Sequence, residues 1–256
     1  MNHNNVVLEE IARSGFARLD CPTLTPSTCG QIYAAFDEVL RDIDELDTQI
    51  ASYDSYLGEF LAARDGHSAV DTMGFKRTQK NKLSHINSFT YVSGFYPFLE
   101  NHKALSNPSI ERLLRLMEQS CDDVFPVMQK LLPEEIQEKG FSCLLKVNRY
   151  VADTDTDYIL APHYDRSYLT LVGHPQNSDS ERLVIYPESK GIQIQDRNWK
   201  QKPMRLEANH FPLLFTGLEG MRALGVPATA HAVFNHPDKA PSLSRHALIF
   251  FLFPKF

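Results

Sequence analysis

The chain has 256 residues, of which 43% are apolar, and a formal net charge of −6 at pH 7. This length and composition predict one folded domain, residues 1–256, and exclude a largely disordered chain. The acidic balance disfavours nucleic acid as a partner, because nucleic-acid binding depends on basic residues that contact phosphates. A small molecule is therefore the expected partner.

The composition of the chain and of its first residues favours a cytoplasmic protein. No apolar run approaches the length of a membrane-spanning helix, and the polar start Met1–Asn5 lacks the basic and apolar parts of a signal peptide. We therefore expect no membrane partner.

The cysteines show no C-x-x-C spacing and lie in apolar or helical patterns, which predicts free buried thiols rather than disulfides. They are Cys21, Cys29, Cys121 and Cys143.

Residues 1–140 are predicted to be mainly helical. Thr25-Pro26 is a good helix start, with a capping side chain followed by proline at the first helical position, and apolar residues then recur at helical spacing as far as Leu46. Asn107-Pro108 begins a second helix in the same way, with a broad apolar stripe that extends to Met128. These stripes predict two amphipathic helices packed on a core.

Residues 141–256 are predicted to form the catalytic core, a double-stranded β-helix or jelly roll. Short runs rich in β-branched and aromatic residues alternate there with Gly, Pro, Asn or Asp, as in an all-β barrel or sandwich. The fold class is therefore mainly β with flanking helices, in which the N-terminal helices support the jelly roll. The predicted strands are 142–150, 167–173, 183–187, 191–196, 203–207, 211–216, 226–234 and 246–253.

Three residues have the spacing of a metal site. His163 and Asp165 form an H-x-D pair, and His231 follows 68 residues after the first histidine. Side chains two positions apart on a strand lie on the same face, and a histidine from a distant strand completes a 2-His-1-carboxylate triad. Such a triad leaves positions on iron(II) open for a co-substrate and dioxygen. The spacing indicates oxygen chemistry rather than a structural metal.

A fixed positive charge follows in the strand-like run Ser244–Phe251. Arg245 lies 14 residues beyond His231 and precedes a strongly apolar segment. A guanidinium that points into an apolar barrel needs an anion, and its planar fork suits a carboxylate held at two points. A dicarboxylate co-substrate would supply that anion.

Five motifs follow one another in an order that is typical of one enzyme family. They are Leu145–Tyr150, the H-x-D pair, Ile192–Trp199, His231–Asn235 and Arg245–Phe251. In this order they resemble the iron- and 2-oxoglutarate-dependent dioxygenases, and within these the isopenicillin N synthase-like branch. The resemblance implies Fe(II) and 2-oxoglutarate as cofactors and dioxygen as a reactant.

The resemblance also assigns individual residues. It makes His163, Asp165 and His231 the iron ligands, and Arg245 the partner of the distal carboxylate of 2-oxoglutarate. The family places an Asn and a Tyr on the strand before the H-x-D pair against the co-substrate, and these positions match Asn148 and Tyr150. One residue departs from the pattern: Ala247 stands where the family usually has serine. The loss of one neutral hydrogen bond costs about 0.5–1.5 kcal/mol of binding, which either Ser244 or Tyr150 could offset.

The function that the resemblance implies is oxidation of an unactivated C–H bond of a small metabolite, with hydroxylation as the expected outcome and succinate and CO2 as co-products. The presence of Asp165 disfavours halogenation, because related halogenases have a small residue there. Two alternatives stay open: an oxidase or cyclase of the isopenicillin N synthase type that uses no 2-oxoglutarate, and a non-catalytic jelly-roll binding protein. Candidate substrate-binding residues are Arg166, Tyr168 and Phe95.

Overall fold

The computed structural model describes residues 3–42, 46–65, 74–76, 86–105, 107–150, 158–176, 183–191, 202–234 and 245–255. Its helices are α1 (His3–Ser14), α2 (Pro26–Arg41), α3 (Asp47–Asp65), α4 (Phe95–Asn101), α5 (Pro108–Gln129), α6 (Glu134–Lys139) and α7 (Leu218–Leu224). Its strands are β1 (Ala17–Arg18), β2 (Gly74–Lys76), β3 (Ile86–Val92), β4 (Phe141–Tyr150), β5 (Tyr158–His163), β6 (Leu169–Val172), β7 (Leu183–Tyr186), β8 (Met204–Arg205), β9 (Leu213–Thr216), β10 (Ala230–Phe234) and β11 (Arg245–Pro254).

The strands form two antiparallel sheets. The large sheet has the order β1-β9-β6-β11-β4-β3-β2, and the small sheet has the order β5-β10-β7-β8. The longest pairing joins β4 to β11 along their whole length, from Tyr150 opposite Arg245 to Phe141 opposite Pro254. This mainly β architecture with helices beside it confirms the predicted fold class.

The large sheet buries both of its faces. One face packs on the small sheet, as in the contact cluster that joins Val172 and Phe215 to Ile185 and Val233. The other face packs on the helices, where Phe125 of α5 meets Phe250 of β11 edge-on with 5.7 Å between ring centroids. The helices therefore support the sheet from outside and leave the space between the two sheets for a site.

Both predicted helix starts are confirmed. The Thr25 side chain accepts a hydrogen bond from the Thr28 backbone N–H at 3.1 Å, and α2 begins at the next residue, Pro26. Asn107 accepts hydrogen bonds from the first turn of α5 in the same way. α2 ends at Arg41, however, so the apolar residue Leu46 belongs to the approach to α3 and not to α2.

The strand predictions miss β5 within residues 141–256, and they miss β1, β2 and β3 within residues 1–140. β4 and β11 match the predicted runs to within one residue at either end, whereas the run 191–196 lies almost wholly outside the described residues. β5 was not among the predicted runs, because Pro162 within it weakens a strand pattern. β3 lies in the region expected to be helical, and it adds to the large sheet beside β4.

The cysteines are free and buried, as predicted. Burial raises the pKa of the Cys29 thiol to about 12, so this thiol is protonated and unreactive at neutral pH. In the part of the chain that the structure describes, no helix combines the length and apolar character needed to cross a membrane.

His246 ties the large sheet to α2. Its Nε2 atom lies 2.8 Å from Asp37 Oδ1, and its ring stacks on Tyr33 with 5.2 Å between ring centroids. His246 is buried and directly follows Arg245 at the start of β11. Because neighbouring side chains on a strand lie on opposite faces, this contact fixes the strand end from which Arg245 enters the space between the sheets.

Replacing Asp37 with alanine should lower the free energy of unfolding by about 1 kcal/mol, because the buried His246 imidazole loses its hydrogen-bond partner. The neighbouring variant Glu38→Ala is the control, since Glu38 pairs with Arg112 at the surface, where ion pairs contribute little. Chemical denaturation of both variants measures the difference. Equal losses would contradict a special role for the His246 contact.

Candidate metal and co-substrate site

The small sheet brings the two predicted histidine ligands together. His163 is the last residue of β5, and His231 lies on β10 directly opposite it in the strand register. Their ring centroids are 4.2 Å apart. One ligand atom from each of His163, Asp165 and His231 lies within 4.8 Å of the others. The structure thus brings the predicted triad into one cluster with the dimensions of a metal site.

Asp165 reaches the histidines from a loop, because β5 ends at His163. Its Oδ1 atom lies 3.7 Å from His163 Nε2, and its Oδ2 atom lies 3.8 Å from His231 Nε2. The prediction that the whole H-x-D pair lies on a strand is therefore wrong for Asp165. The loop nevertheless directs the Asp165 carboxylate towards the two histidines.

Two hydroxyl groups orient the Asp165 carboxylate. Thr170 donates a hydrogen bond from Oγ1 to Asp165 Oδ2 at 2.8 Å, and Ser167 Oγ lies 2.7 Å from the same threonine oxygen. Ser167 and Thr170 are fully buried. Groups that hold a ligand side chain in this way raise metal affinity, because they remove the freedom of the ligand to turn away.

Two glycines let the loop that carries Asp165 pack closely against α7. The backbone N–H of Leu218 donates to the Asp165 carbonyl at 2.8 Å, and that of Gly220 donates to the Ser167 carbonyl at 3.1 Å. A Cβ atom at Gly220 would lie 2.0 Å from the Tyr168 carbonyl oxygen, and one at Gly217 would lie 2.5 Å from the Ser167 carbonyl oxygen. Only glycine permits this approach, so the loop position depends on both residues.

The protonation of the histidines suits a metal. Burial lowers the pKa of His231 to about 4, which keeps its imidazole neutral at pH 7. His163 Nδ1 lies 2.9 Å from the Ala161 carbonyl oxygen, which can only accept, so Nδ1 carries the proton. In the neutral imidazole of His163, Nε2 is then the atom with a free lone pair, and it is the nitrogen that faces Asp165. Neutral imidazole nitrogens and one carboxylate are the donor set that iron(II) takes in a facial triad.

The three predicted co-substrate residues line the same cavity as the triad. The cavity has a volume of about 90 Å³ and is walled by Asn148 and Tyr150 of β4 and by Arg245 of β11. Arg245 is 1% exposed, and its Cζ atom lies 5.3 Å from the centre of the Tyr150 ring. Asn148 Nδ2 donates a hydrogen bond to the Tyr150 hydroxyl at 2.8 Å. A carboxylate placed in this cavity would meet a guanidinium and a tyrosine hydroxyl.

The three candidate substrate residues have different surroundings. Arg166 is exposed and lines a second cavity that adjoins the first. Tyr168 is half-buried beside α7, and its backbone N–H donates to the Leu252 carbonyl. Phe95 is buried in the core, where its ring packs on Phe60 and Tyr91. Phe95 lies in neither of these cavities, and we therefore correct its assignment from the substrate pocket to the core.

Several residues that shape the site are not among those predicted from the sequence. Thr170 and Ser167 have no motif of their own, and the role of Gly217 and Gly220 follows from a close approach between segments distant in the chain. Lys146 could have been found, because it lies two residues before Asn148 on the same strand and therefore on the same face.

Comparisons with known proteins match the fold alone. No family model and no curated protein matches the sequence. The dioxygenase for auxin oxidation 1 from Arabidopsis thaliana, in complex with 2-oxoglutarate, is 12% identical over 99% of this chain and 88% of that one, with a TM-score of 0.63. A Neurospora crassa protein in complex with alpha-KG and thymine is 12% identical over 98% of this chain and 80% of that one, with a TM-score of 0.64. JOX2 in complex with 2OG, Fe and JA is 13% identical over 98% of this chain and 71% of that one, with a TM-score of 0.59.

These likenesses extend over nearly the whole chain. They show that the chain has the jelly-roll fold of iron- and 2-oxoglutarate-dependent dioxygenases, which confirms the predicted double-stranded β-helix. The resemblance first stated from five motifs is therefore confirmed at the level of the fold. Its narrower form, the isopenicillin N synthase-like branch, stays a prediction.

Thr170→Val should weaken the binding of a divalent metal by about tenfold or more, because Asp165 loses the hydroxyl that orients it while the shape of the side chain is kept. Isothermal titration of the metal-free protein with Mn(II) measures this effect. Thr28→Val is the control, since the Thr28 hydroxyl bonds to the Thr23 carbonyl in the first turn of α2. An unchanged affinity in Thr170→Val would contradict the orienting role.

Gly220→Ala should lower the free energy of unfolding by about 1–3 kcal/mol, because its new methyl group overlaps the Tyr168 carbonyl. It should also weaken Mn(II) binding, since the loop that carries Asp165 must move. Gly30→Ala is the matched control: Gly30 lies within α2 with open space around it, so alanine should stabilise the protein by about 0.5–1 kcal/mol. A neutral Gly220→Ala would refute the close packing of the loop on α7.

Proposed function

We propose that the chain is an Fe(II)- and 2-oxoglutarate-dependent oxygenase that oxidises a C–H bond of a small molecule. Hydroxylation is the outcome we expect: one oxygen atom of O2 enters the substrate and the other enters succinate, while the C1 carboxylate of 2-oxoglutarate leaves as CO2. The proposal assigns His163, Asp165 and His231 to the metal. It assigns Arg245, Tyr150 and Asn148 to 2-oxoglutarate.

One observation carries the proposal: the triad and a buried guanidinium line the same cavity. A 2-His-1-carboxylate cluster by itself would fit many metal sites. Arg245 adds a fixed positive charge on the opposite sheet, and a buried charge is stable where it can meet an anion. A diacid that extends from the metal to Arg245 would satisfy both requirements with one molecule.

Each residue then has a physical role. When bound, the iron supplies the chemistry of dioxygen activation and C–H oxidation, which no protein side chain can perform. Thr170 and the loop packed on α7 hold Asp165 in place. Arg245 and the Tyr150 hydroxyl orient the far carboxylate of the co-substrate, since a charged, two-point contact fixes both position and direction.

Apolar side chains from both sheets enclose the site. Leu160, Leu183 and Val233 come from the small sheet, and Val172 and Ile249 come from the large sheet. Their surface excludes water, which strengthens the electrostatic contacts inside the cavity. It would also keep solvent away from the atoms that react.

Ala247 favours a second candidate, an iron-dependent oxidase of the same fold that uses no 2-oxoglutarate. Ala247 lies directly opposite Asn148 and provides no hydroxyl to the cavity. In that case substrate and iron alone should support oxygen uptake. The two functions are separated by whether 2-oxoglutarate binds to the iron-loaded protein.

Anaerobic titration of the metal-free protein with Fe(II), with and without 2-oxoglutarate, tests the proposal. We expect a weak visible charge-transfer band only when both are present, and we expect Asp165→Ala to abolish it. Arg245→Ala should weaken 2-oxoglutarate binding by about 10- to 100-fold, because a charge-assisted hydrogen bond is lost. Arg245→Lys keeps the charge of the buried side chain and tests whether the two-point geometry matters.

Arg205→Ala, on the exposed edge of β8, is the control for a change in net charge. Circular dichroism establishes that each variant is folded. Iron binding without the band would favour the oxidase that uses no 2-oxoglutarate. Absence of iron binding in the folded wild type would refute both metal-dependent functions and leave a jelly-roll binding protein.

A further inference from the structure

One carboxylate of α2 contacts both strands that carry the proposed co-substrate residues. Asp37 Oδ1 lies 2.8 Å from His246 Nε2 on β11 and 3.4 Å from Arg149 Nε on β4. His246 and Arg149, here called the bridged pair, lie directly opposite each other in the strand register. A carboxylate accepts hydrogen bonds and attracts cations, so a single oxygen atom joins the two strands to the helix.

The neighbouring pair along the same two strands is Tyr150 and Arg245. Tyr150 follows Arg149 on β4, and Arg245 precedes His246 on β11. Since successive side chains on a strand lie on opposite faces, the bridged pair points to α2, while Tyr150 and Arg245 line the cavity. Their side chains also contact each other, with 5.3 Å from Arg245 Cζ to the centre of the Tyr150 ring. A displacement of the bridged pair would therefore move the backbone of both proposed co-substrate residues.

A second side chain of α2 holds the His246 ring. Tyr33 lies four residues before Asp37, so both side chains project from the same face of the helix. The Tyr33 ring stacks on the His246 ring, with 5.2 Å between the centroids and 29° between the planes. The Tyr33 hydroxyl donates a hydrogen bond to the His174 carbonyl at 2.7 Å, two residues beyond the end of β6. α2 thus fixes the His246 ring by one edge and one face, and it also contacts the chain just after a third strand.

These contacts lie at one end of the longest strand pairing. Tyr150 is the last residue of β4 and Arg245 is the first residue of β11, so their pair ends the ladder as far as the structure describes it. The end of a ladder opens more readily than its centre. Asp37 and Tyr33 act one residue from this end, where an added contact limits opening most.

The proposed co-substrate site needs a strand end that is fixed in this way. A guanidinium holds a carboxylate at two points only when its position and its direction are both kept, and a misplacement of about 1 Å can cost about 100-fold in rate. The proposed metal ligands, by contrast, lie on the small sheet and on the loop packed against α7. Loss of the Asp37 contact should therefore change co-substrate binding and leave metal binding unchanged.

We propose that Asp37 is a positioning residue for the co-substrate. Through the bridged pair it holds the strand ends that carry Arg245 and Tyr150, and Tyr33 supports it by holding the His246 ring. Asp37 lines neither of the two cavities, so it acts through its neighbours and not by contact with a bound molecule. This inference rests on the proposed oxygenase function and extends the site to a helix outside the cavity.

Binding of 2-oxoglutarate to Asp37 variants tests the proposal. It is measured anaerobically with Fe(II) by the charge-transfer band, and by calorimetry with Mn(II)-loaded protein. We expect Asp37→Ala to weaken 2-oxoglutarate binding by about tenfold, which corresponds to the loss of one charge-assisted contact. The affinity for Mn(II) should stay unchanged. Asp37→Asn keeps an oxygen atom that can accept from His246, and it should restore most of the affinity.

A second probe distinguishes an effect on Arg245 from a general loss of structure. 2-Oxopentanoate has the same carbon chain and the same 2-oxo acid group as 2-oxoglutarate, but a methyl group replaces its far carboxylate. It therefore reports binding at the metal end alone. We expect Asp37→Ala to leave 2-oxopentanoate binding unchanged, so the preference of the protein for the diacid should fall by about tenfold.

Val39→Ala is the control for lost stability. Val39 is buried on the same helix, two residues from Asp37, and side chains two positions apart on a helix do not face each other. The variant should lose stability in chemical denaturation, because a smaller core side chain removes packing. It should keep the wild-type preference for 2-oxoglutarate over 2-oxopentanoate.

A double variant tests whether Asp37 acts through His246. His246→Phe keeps an aromatic ring beside Tyr33 but removes the hydrogen bond to Asp37. It should reproduce most of the loss in 2-oxoglutarate affinity, and the losses in His246→Phe and Asp37→Ala should not add when the two changes are combined. Circular dichroism establishes that each variant is folded, and His246→Phe gives the same test should Asp37→Ala fail to fold.

The wild-type charge-transfer band separates this inference from the oxygenase proposal. A normal band, with unchanged 2-oxoglutarate affinity in the folded variants, would overturn the positioning role and leave the oxygenase proposal intact. Equal weakening of both 2-oxo acids would also overturn the positioning role, and so would an equal loss of preference in Val39→Ala. A missing band in the wild type would overturn the oxygenase proposal, and the positioning role with it.

Discussion

The antiparallel pairing of β4 with β11 is the constraint on which both core and site depend. Its register places Tyr150 opposite Arg245 and Asn148 opposite Ala247, all towards the cavity, while intervening residues such as Phe250 pack on the helices. A slip by one residue would exchange the two faces. It would drive the Arg245 guanidinium into the layer that packs on α2, where His246 now lies, and place an aromatic ring in the site. The hydrophobic pattern that stabilises the sheet therefore also fixes the position of the proposed co-substrate residues.

The proposed metal ligands depend on a different part of the fold. His163 and His231 face each other across the small sheet, and Asp165 comes from a loop held against α7. The proposed co-substrate residues come from the large sheet. A site assembled from two sheets is preorganised by the packing between them, since neither sheet can move without opening the shared core. This arrangement separates the groups proposed to bind the metal from the group proposed to bind the far carboxylate.

A helix or strand could be predicted where its sequence signal lies within a short stretch of the chain. Adjacent residues encode the helix caps at Thr25 and Asn107, and the same is true of the apolar runs of β4 and β11. The elements that these signals predict are present in the structure. β5 has a proline and weak alternation, and its pairing with β10 is what makes it a strand. A long-range pairing leaves little trace in the segment itself. For the same reason, the aromatic segment around Phe95 could be read either as pocket or as core.

The residues of the site also divide into those that local sequence predicts and those that it does not. The triad and Arg245 could be predicted because the chemistry demands particular residue types at recognisable spacing. Thr170, Gly217 and Gly220 could not, since their roles follow from atoms that approach only after folding. Lys146 lies between these cases: the strand period places it on the face of Asn148, but nothing in the sequence indicates that the second cavity begins there.

Replacement of the usual serine by Ala247 has a limited consequence in this geometry. Asn148 donates to the Tyr150 hydroxyl, which leaves the hydroxyl proton of Tyr150 available to an acceptor in the cavity. Ser244, the other candidate for this role, lies outside the described residues. A neutral donor therefore remains on the same ladder as Arg245, so the alanine costs at most one neutral hydrogen bond of about 0.5–1.5 kcal/mol. The charged contact of the guanidinium is the stronger one, and it decides whether a carboxylate is held at this end of the cavity.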